Sequence, residues 1–276
     1  MDNTNETTLK IIQAAALRYP FKNCIRQFCK NHLDINVEME TAGSRNCARK
    51  VIEGADVDLI GLADPAVFAE LLVPQFVDEY YVIATDQIVI TYDDFSRRSK
   101  KINSANWVDI LLSDGVRFAR ADHKTVPCGY RTLMVWQLAE RFYQRPGIYQ
   151  RLCDQSVPED VYQSVTDLTA AILEGRVDYS FQYLSVARQF GLNYLKLPSK
   201  INLSNPIYAD DYSEATVVIW ENGFSPKPVI IKGAPIEFAV AVAKNSPRAD
   251  IAEAFIHFLI SKEGGVILEK CGLIPC

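Results

Sequence analysis

The chain lacks the electrostatic mark of a nucleic-acid or anionic-membrane partner. Its 34 acidic residues outnumber 29 lysines and arginines, for a formal net charge of −5, where such partners call for a basic excess or stripe. Any anion must therefore be bound locally. No stretch approaches the roughly 18 uninterrupted apolar residues of a membrane span, and the opening "MDNTNETTLKII" has no basic segment with an apolar run behind it. It reads as a polar tail before a first strand. Either the protein is cytosolic or a signal segment has been removed. Seven cysteines are an odd number, with no CxxC and no Cys/His cluster at zinc spacing, so a structural metal is not expected. Cys24 and Cys29 read as packing residues, and Cys271 and Cys276 could pair only in an oxidising compartment. Catalytic signatures are missing too: GxSxG, GxxxxGK[ST], GxGxxG after the first strand and HExxH do not occur, and His32, His123 and His257 are scattered. There is no solenoid repeat or low-complexity tract.

What is present is an alternation of strands and helices over 276 residues, of which 49% are hydrophobic. That is enough chain to bury a sizeable core in two lobes. "TLKIIQAAA", "INVEMETA" and "VDLIGLAD" read as strands, with helical periodicity in "FKNCIRQFCKNH", "GSRNCARKVIEG" and "PAVFAELLVP". The alternation predicts a parallel sheet covered on both faces. "YYVIATDQIVITYDD" is too long for one ordinary strand and is expected to cross from one lobe to the other. A second cycle follows, through "WVDILLS", "VRFARAD", a helix from Gly129, "VTDLTAAILEG", "VDYSFQY", "SVARQFG" and "NYLKLP". Residues 199–235 read as loops plus a return crossing, and "ADIAEAFIHFLISKEGGVILEKCG" as one closing helix. The expected division is 1–90 with 198–276 for lobe one and 91–197 for lobe two.

In open α/β sheets ligands sit at the carboxyl ends of strands, where following helices present unpaired N–H groups and a positive dipole end. Three junctions fit that description: "QAAALRYP", "ETAGSRN" and "VPCGYR". Gly43 and Gly129 would let backbone approach a guest closely, and Ser44 combines a hydroxyl donor with a helix start. Arg18 and Arg45 adjoin two of these turns and could add charge-assisted bonds. Cys128, at a helix start, could be a nucleophile, but no histidine partner is evident.

"AGSRNCARKVIEGADVDLIGLAD", "INSANWVDILL", "PCGYRTLMVWQLAERFY", "VDYSFQYLSVARQFGLNYLKLP" and "AVAVAKNSPRADIAEAFIHFLISKEGGVILEK" together resemble the archaeal-type tungstate/molybdate-binding proteins of ABC transporters. The resemblance runs in order through nearly the whole chain. It implies an α/β fold of the class II periplasmic-binding type, two lobes with a ligand cleft, performing no chemistry on a small oxyanion and delivering it to an ABC transporter permease. It further implies a monomer, no cofactor, and a periplasmic or extracellular location with membrane tethering as an option. The cytoplasm stays open.

Residue by residue, the family's HAGSL falls on Gln13, Ala14, Ala15, Ala16 and Leu17, so one serine hydroxyl is lost at Ala16 while its amide remains; Ser44 matches the second serine. The family's aspartate before PCGYR is Val126 here, its glutamate ligand falls near Asp167, and Tyr183 resembles a tyrosine that hydrogen-bonds molybdate in the related bacterial family. The ligand set so implied is Ala16, Ser44, Cys128, Gly129, Thr166, Asp167 and Tyr183, with Arg18 and Arg45 as charge partners. No free metal cation is expected, and Asp167 acts as a metal ligand only if a molybdenum or tungsten oxyanion is coordinated. Losing a carboxylate beside an oxyanion favours simple tetrahedral recognition by N–H and O–H donors. Molybdate, tungstate, sulfate, phosphate-like anions and small carboxylates all stay open. So do a ligand-sensing module of the same fold and an enzyme using Cys128 and His123.

Overall fold

A computed structural model describes residues 7–220 and 228–276. Its strands are β1 (Thr7–Ala14), β2 (Ile35–Ala42), β3 (Leu59–Leu62), β4 (Tyr81–Asp86), β5 (Ile88–Tyr92), β6 (Phe118–Ala121), β7 (Val161–Tyr162), β8 (Tyr179–Tyr183), β9 (Asn193–Lys196), β10 (Thr216–Trp220), β11 (Pro228–Lys232), β12 (Ile236–Val242) and β13 (Ile274–Pro275). The chain divides into two compact units, Met1–Thr85 with Ile236–Cys276, and Asp86–Pro235.

The first unit carries a six-stranded sheet in the order β13-β4-β12-β3-β1-β2. β1 pairs in parallel with β2 and β3, but β12 runs antiparallel to β3. The helix Ser44–Ile52 shows why its sequence folds as it does. Cys47, Ala48 and Val51 recur at helical spacing and are buried against Ile12, Ile60, Leu62, Ala239 and Ala241 of the sheet. The chain leaves that helix through Gly54, whose φ of +89° suits glycine. On the sheet's other face Gly61 makes room for an aromatic ring, since a Cβ there would meet Phe21 Cε2 at 2.9 Å.

The second unit holds the sheet β7-β6-β8-β5-β9 and the hairpin β10-β11. β8, "YSFQY", is buried at every position. Phe181 is met edge-on by Trp136 at 5.5 Å and Trp107 at 5.8 Å between centroids, with Phe118 behind Trp136 at 5.9 Å. The helix Pro127–Phe142 is buried from Cys128 through Trp136, apolar on nearly all sides as an interior helix must be.

Three expectations are corrected. The sheets are mixed rather than parallel: β5 is antiparallel to β8 and β9, as β12 is to β3. β5 and β12 are the first strands after the chain passes into each unit, so neither is bound by the βαβ crossover that keeps β1 parallel to β2 and β3, and β6 parallel to β8. Residues 198–235 fall in the second unit, not the first. Asn202 Nδ2 donates to Gln87 Oε1 at 3.1 Å, the buried Tyr212 hydroxyl donates to Ser199 O, and the Gln137 side-chain amide bonds both Thr216 N and Thr216 O like a neighbouring strand. The closing helix is two, Ala249–Ile260 and Lys262–Lys270, because Ser261 turns extended and its side chain caps Gly264 N. The long run "YYVIATDQIVITYDD" does pass from one sheet to the other, as β4 and then β5, and the seven cysteines are free.

Candidate anion-binding site

In the first unit the candidate residues gather at the carboxyl ends of β1, β2 and β3. β1 and β2 end in register, Ala14 opposite Ala42. The chain then turns through Ala15–Leu17 into the helix Arg18–Phe28, and through Gly43 into the helix Ser44–Ile52. Ser44 is 1% exposed, and its Oγ accepts from Ala63 N at 3.1 Å. Because β1 lies between β2 and β3, that bond spans the end of β1 and ties the turns after β2 and β3 together. The hydroxyl keeps one proton to donate. Ala16 is half-buried in the turn after β1, Arg18 is exposed, and both Arg45 terminal nitrogens donate to Glu70 Oε2 at 3.1 Å.

In the second unit β6 and β8 are adjacent and parallel, so the turns after them, carrying Cys128 and Ser185, share one end of the sheet. β5 runs the other way, pairing Ile88 with Tyr183, which brings Asp86 to the same end. Asp86 is fully buried. Its carboxylate accepts from Ser185 Oγ at 2.5 Å, Gln87 N at 2.7 Å and Ser185 N at 3.4 Å. Burial pushes its pKa up to about 7, against the pull of those donors and of the Arg131 charge. Arg131 is 4% exposed, and its Nη1 donates to the Tyr183 hydroxyl at 2.7 Å. Its guanidinium carbon lies 5.8 Å from the Tyr183 ring centroid and 5.9 Å from that of Tyr130. Burial also raises the Tyr183 phenol, the nearby cation only partly offsetting it.

Cys128 belongs to this cluster as a packing thiol. Its Sγ donates to Phe181 O at 3.6 Å, and burial pushes its pKa up to about 12, so no thiolate is on offer for nucleophilic work. Gly129 is required by packing at the helix start: a Cβ would stand 2.5 Å from Ala121 O and 2.5 Å from the Asp122 carbonyl carbon. Its N–H donates to Val126 O at 2.8 Å. His123 sits in the loop before the helix, 3.6 Å from Asp122, its pKa lowered by burial and by Arg120. Thr166 and Asp167 are exposed, in the first turn of the helix Val165–Leu173 after β7. There Asp167 N donates to Ser164 Oγ at 3.1 Å and Ser164 Oγ to Asp167 Oδ2 at 2.8 Å, a reciprocal cap. Among the described residues no group of His, Cys, Asp and Glu is arranged to hold a metal ion.

Sequence reasoning missed Arg131, Asp86 and Ser185. A signal existed for the first two. Each is a lone charge inside an apolar run, "CGYRTLMVWQLA" and "YVIATDQIVI", and a charge buried by its neighbours must be held by partners.

Two mixed α/β units, each with buried polar groups at the carboxyl ends of its strands, are the architecture of a protein of the periplasmic-binding type. The chain belongs to the family of bacterial extracellular solute-binding proteins, whose sequence profile matches residues 9–274. It is 37% identical to an uncharacterised solute-binding protein of Petrotoga mobilis over 95% of this chain and 82% of that one. It is 32% identical to the molybdate/tungstate-binding protein WtpA of Thermococcus kodakarensis over 94% of this chain and 79% of the relative. The periplasmic molybdate-binding protein of Azotobacter vinelandii has the same fold, with a TM-score of 0.69 at 15% identity, covering 96% of this chain and 98% of the other. The chain is thus a solute-binding protein and not an enzyme. Among the described residues no helix is long and apolar enough to cross a membrane.

Proposed function

We propose that this protein captures a small tetrahedral oxyanion, molybdate or tungstate foremost, outside the cytoplasm and delivers it to the permease of an ABC transporter. The likeness to a molybdate/tungstate-binding relative supports the ligand class. The observation that carries the reading is the buried Arg131–Tyr183 pair at the strand ends of the second unit, a cation with a phenolic donor where anions bind in such folds. Ser44 and the amides near Ala16 are the neutral donors we assign to the first unit; Cys128, Gly129, Thr166, Asp167 and Tyr183 are the groups we assign to the second. Val126 stands where the family has a metal-binding aspartate, and Asp167 is engaged as a helix cap. Both features favour recognition by hydrogen-bond donors over expansion of the metal's coordination, which leaves sulfate as the strongest competitor.

Calorimetric titration with sodium molybdate, tungstate, sulfate and phosphate tests this. Molybdate or tungstate is expected to bind at least tenfold more tightly than phosphate. The proposal fails if none of the four binds.

A further inference from the structure

The strand β8 alternates its side chains, Tyr179, Phe181 and Tyr183 to one face and Ser180 and Gln182 to the other. A face sealed in a protein interior is ordinarily apolar. Here four polar side chains meet, Thr91, Thr169, Ser180 and Gln182, none more than 1% exposed. Gln182 Nε2 donates to Ser180 Oγ at 2.9 Å and to Thr91 Oγ1 at 3.2 Å. The two hydroxyl oxygens lie 2.7 Å apart, and Thr91 Oγ1 donates to Ser180 O at 3.2 Å. On its other side Gln182 Oε1 accepts from Thr169 Oγ1 at 3.0 Å. One amide thereby joins β8 and β5 to the helix Val165–Leu173. An apolar residue at 182 would orphan nothing, since Thr91 and Ser180 would keep each other and Thr169 Oγ1 would keep Val165 O, 2.9 Å away. The amide is therefore not there to satisfy its neighbours.

We infer that Gln182 is a positioning residue for anion capture: through Thr169 it sets where the first turn of the helix Val165–Leu173 stands beside β8. This rests on the oxyanion reading above, which assigns Thr166 and Asp167 of that turn to the guest, and it names what holds them in place. The helix buries Leu168, Thr169, Ala171 and Ile172. Three of these are apolar, and apolar contact is non-directional, so it keeps the helix on the sheet without fixing its position along it. The bond from Thr169 to Gln182 is directional and does fix it. Thr169 is also one turn from Val165, whose carbonyl its hydroxyl reaches, so the fixed point lies against the turn that carries Thr166 and Asp167. Gln182 is fully buried and acts through the helix, not on the guest.

The test is calorimetry with sodium molybdate and sodium sulfate on folded variants, with urea unfolding of each beside it. Thr169→Val keeps the side chain's shape and removes the hydroxyl; it is expected to lose about fivefold in affinity, the equivalent of one neutral hydrogen bond. Thr169→Ser keeps the hydroxyl and is expected to bind as the wild type does. Gln182→Met removes the amide and orphans no neighbour, so it should show the same loss of affinity with its urea midpoint nearly unchanged. Thr91→Val cuts the network on the sheet side and leaves the Thr169 bond, so it should lower the midpoint and leave affinity alone. That contrast separates positioning from stability. The inference is overturned if Thr169→Val or Gln182→Met binds as the wild type does, if Thr169→Ser fails to restore affinity, or if Thr91→Val loses as much affinity as Thr169→Val. Should Thr169→Val not fold, Gln182→Met decides alone. In each case binding by the wild type would leave the oxyanion reading standing. If neither probe binds the wild type, that reading falls and the inference with it.

Discussion

The two units treat the N-terminal ends of their central strands alike and the C-terminal ends differently. In the first, Asp58 precedes β3 and accepts from Lys10 N at 2.7 Å, Ser246 Oγ at 2.6 Å and Arg248 Nε at 2.7 Å. In the second, Asp178 precedes β8 and is locked by Arg97 and by Arg117 N. Both are buried aspartates satisfied by an arginine and at least one backbone amide, as a buried charge requires. At the other end the likeness stops. In the first unit the buried polar groups there, Gln13 and Ser44, are neutral, while the charged Arg18, Arg45 and Asp64 of the same turns are more exposed; in the second, Arg131, Tyr183 and Asp86 are all buried. The difference is one of buried charge, present at that end in the second unit and not in the first among the described residues. Dependence of stability on pH near neutrality should then come through the second unit.

The largest effect that could break this comparison is on stability. The folded pKa of Asp86 stands at about 7 against an ordinary 3.8, so between those values the folded chain keeps a proton that the unfolded chain has lost. Stability therefore falls as pH rises through this window, by up to about 4 kcal/mol for a shift of that size. His123 works in the opposite sense, since its lowered pKa adds stability as pH rises toward its ordinary value. Urea unfolding of wild type and Asp86→Asn at pH 5 and pH 8 separates the two. The wild type should lose stability relative to the variant at the higher pH, and parallel curves would mean that Asp86 does not hold its proton. Next in size is Gly129→Ala, where the added methyl meets the backbone of β6 and of Asp122 rather than a flexible side chain. About 3 kcal/mol is expected, read as a lowered urea midpoint. An unshifted midpoint would show that the helix start has room, and so that the glycine serves the guest.

Much of this architecture was legible in the residues, for reasons that can be named. "IIQAAA", "INVEMETA" and "LIGL" are short β-rich runs bounded by helical periods, and such local patterns survive folding. Ser44 and Cys128 could be placed at strand ends because turn and period agree there. The return strands β5 and β12 were illegible, because direction within a sheet is set by partners far along the chain. The same holds for residues 198–235, whose attachment depends on Gln137 and Gln87 meeting distant backbone and side chains. Asp86 and Arg131 failed differently. Each was visible as a charge in an apolar run, yet their common location follows only from β5 running antiparallel to β8.

The smallest effect sharpens the comparison most, because it asks the first unit for a change without a change in charge. Ser44→Ala removes the acceptor of Ala63 N and one neutral donor. A neutral hydrogen bond contributes about 1 kcal/mol, so both stability and oxyanion affinity should drop by that amount, the latter about fivefold. Titrated with sodium molybdate at pH 6 and pH 8.5, the variant should be weaker by the same factor at both. Its pH slope should equal that of the wild type, since the groups that titrate are untouched. Should the loss differ between the two pH values, the hydroxyl would have to be coupled to a titrating group, and its reading as a neutral donor of the first unit could not stand.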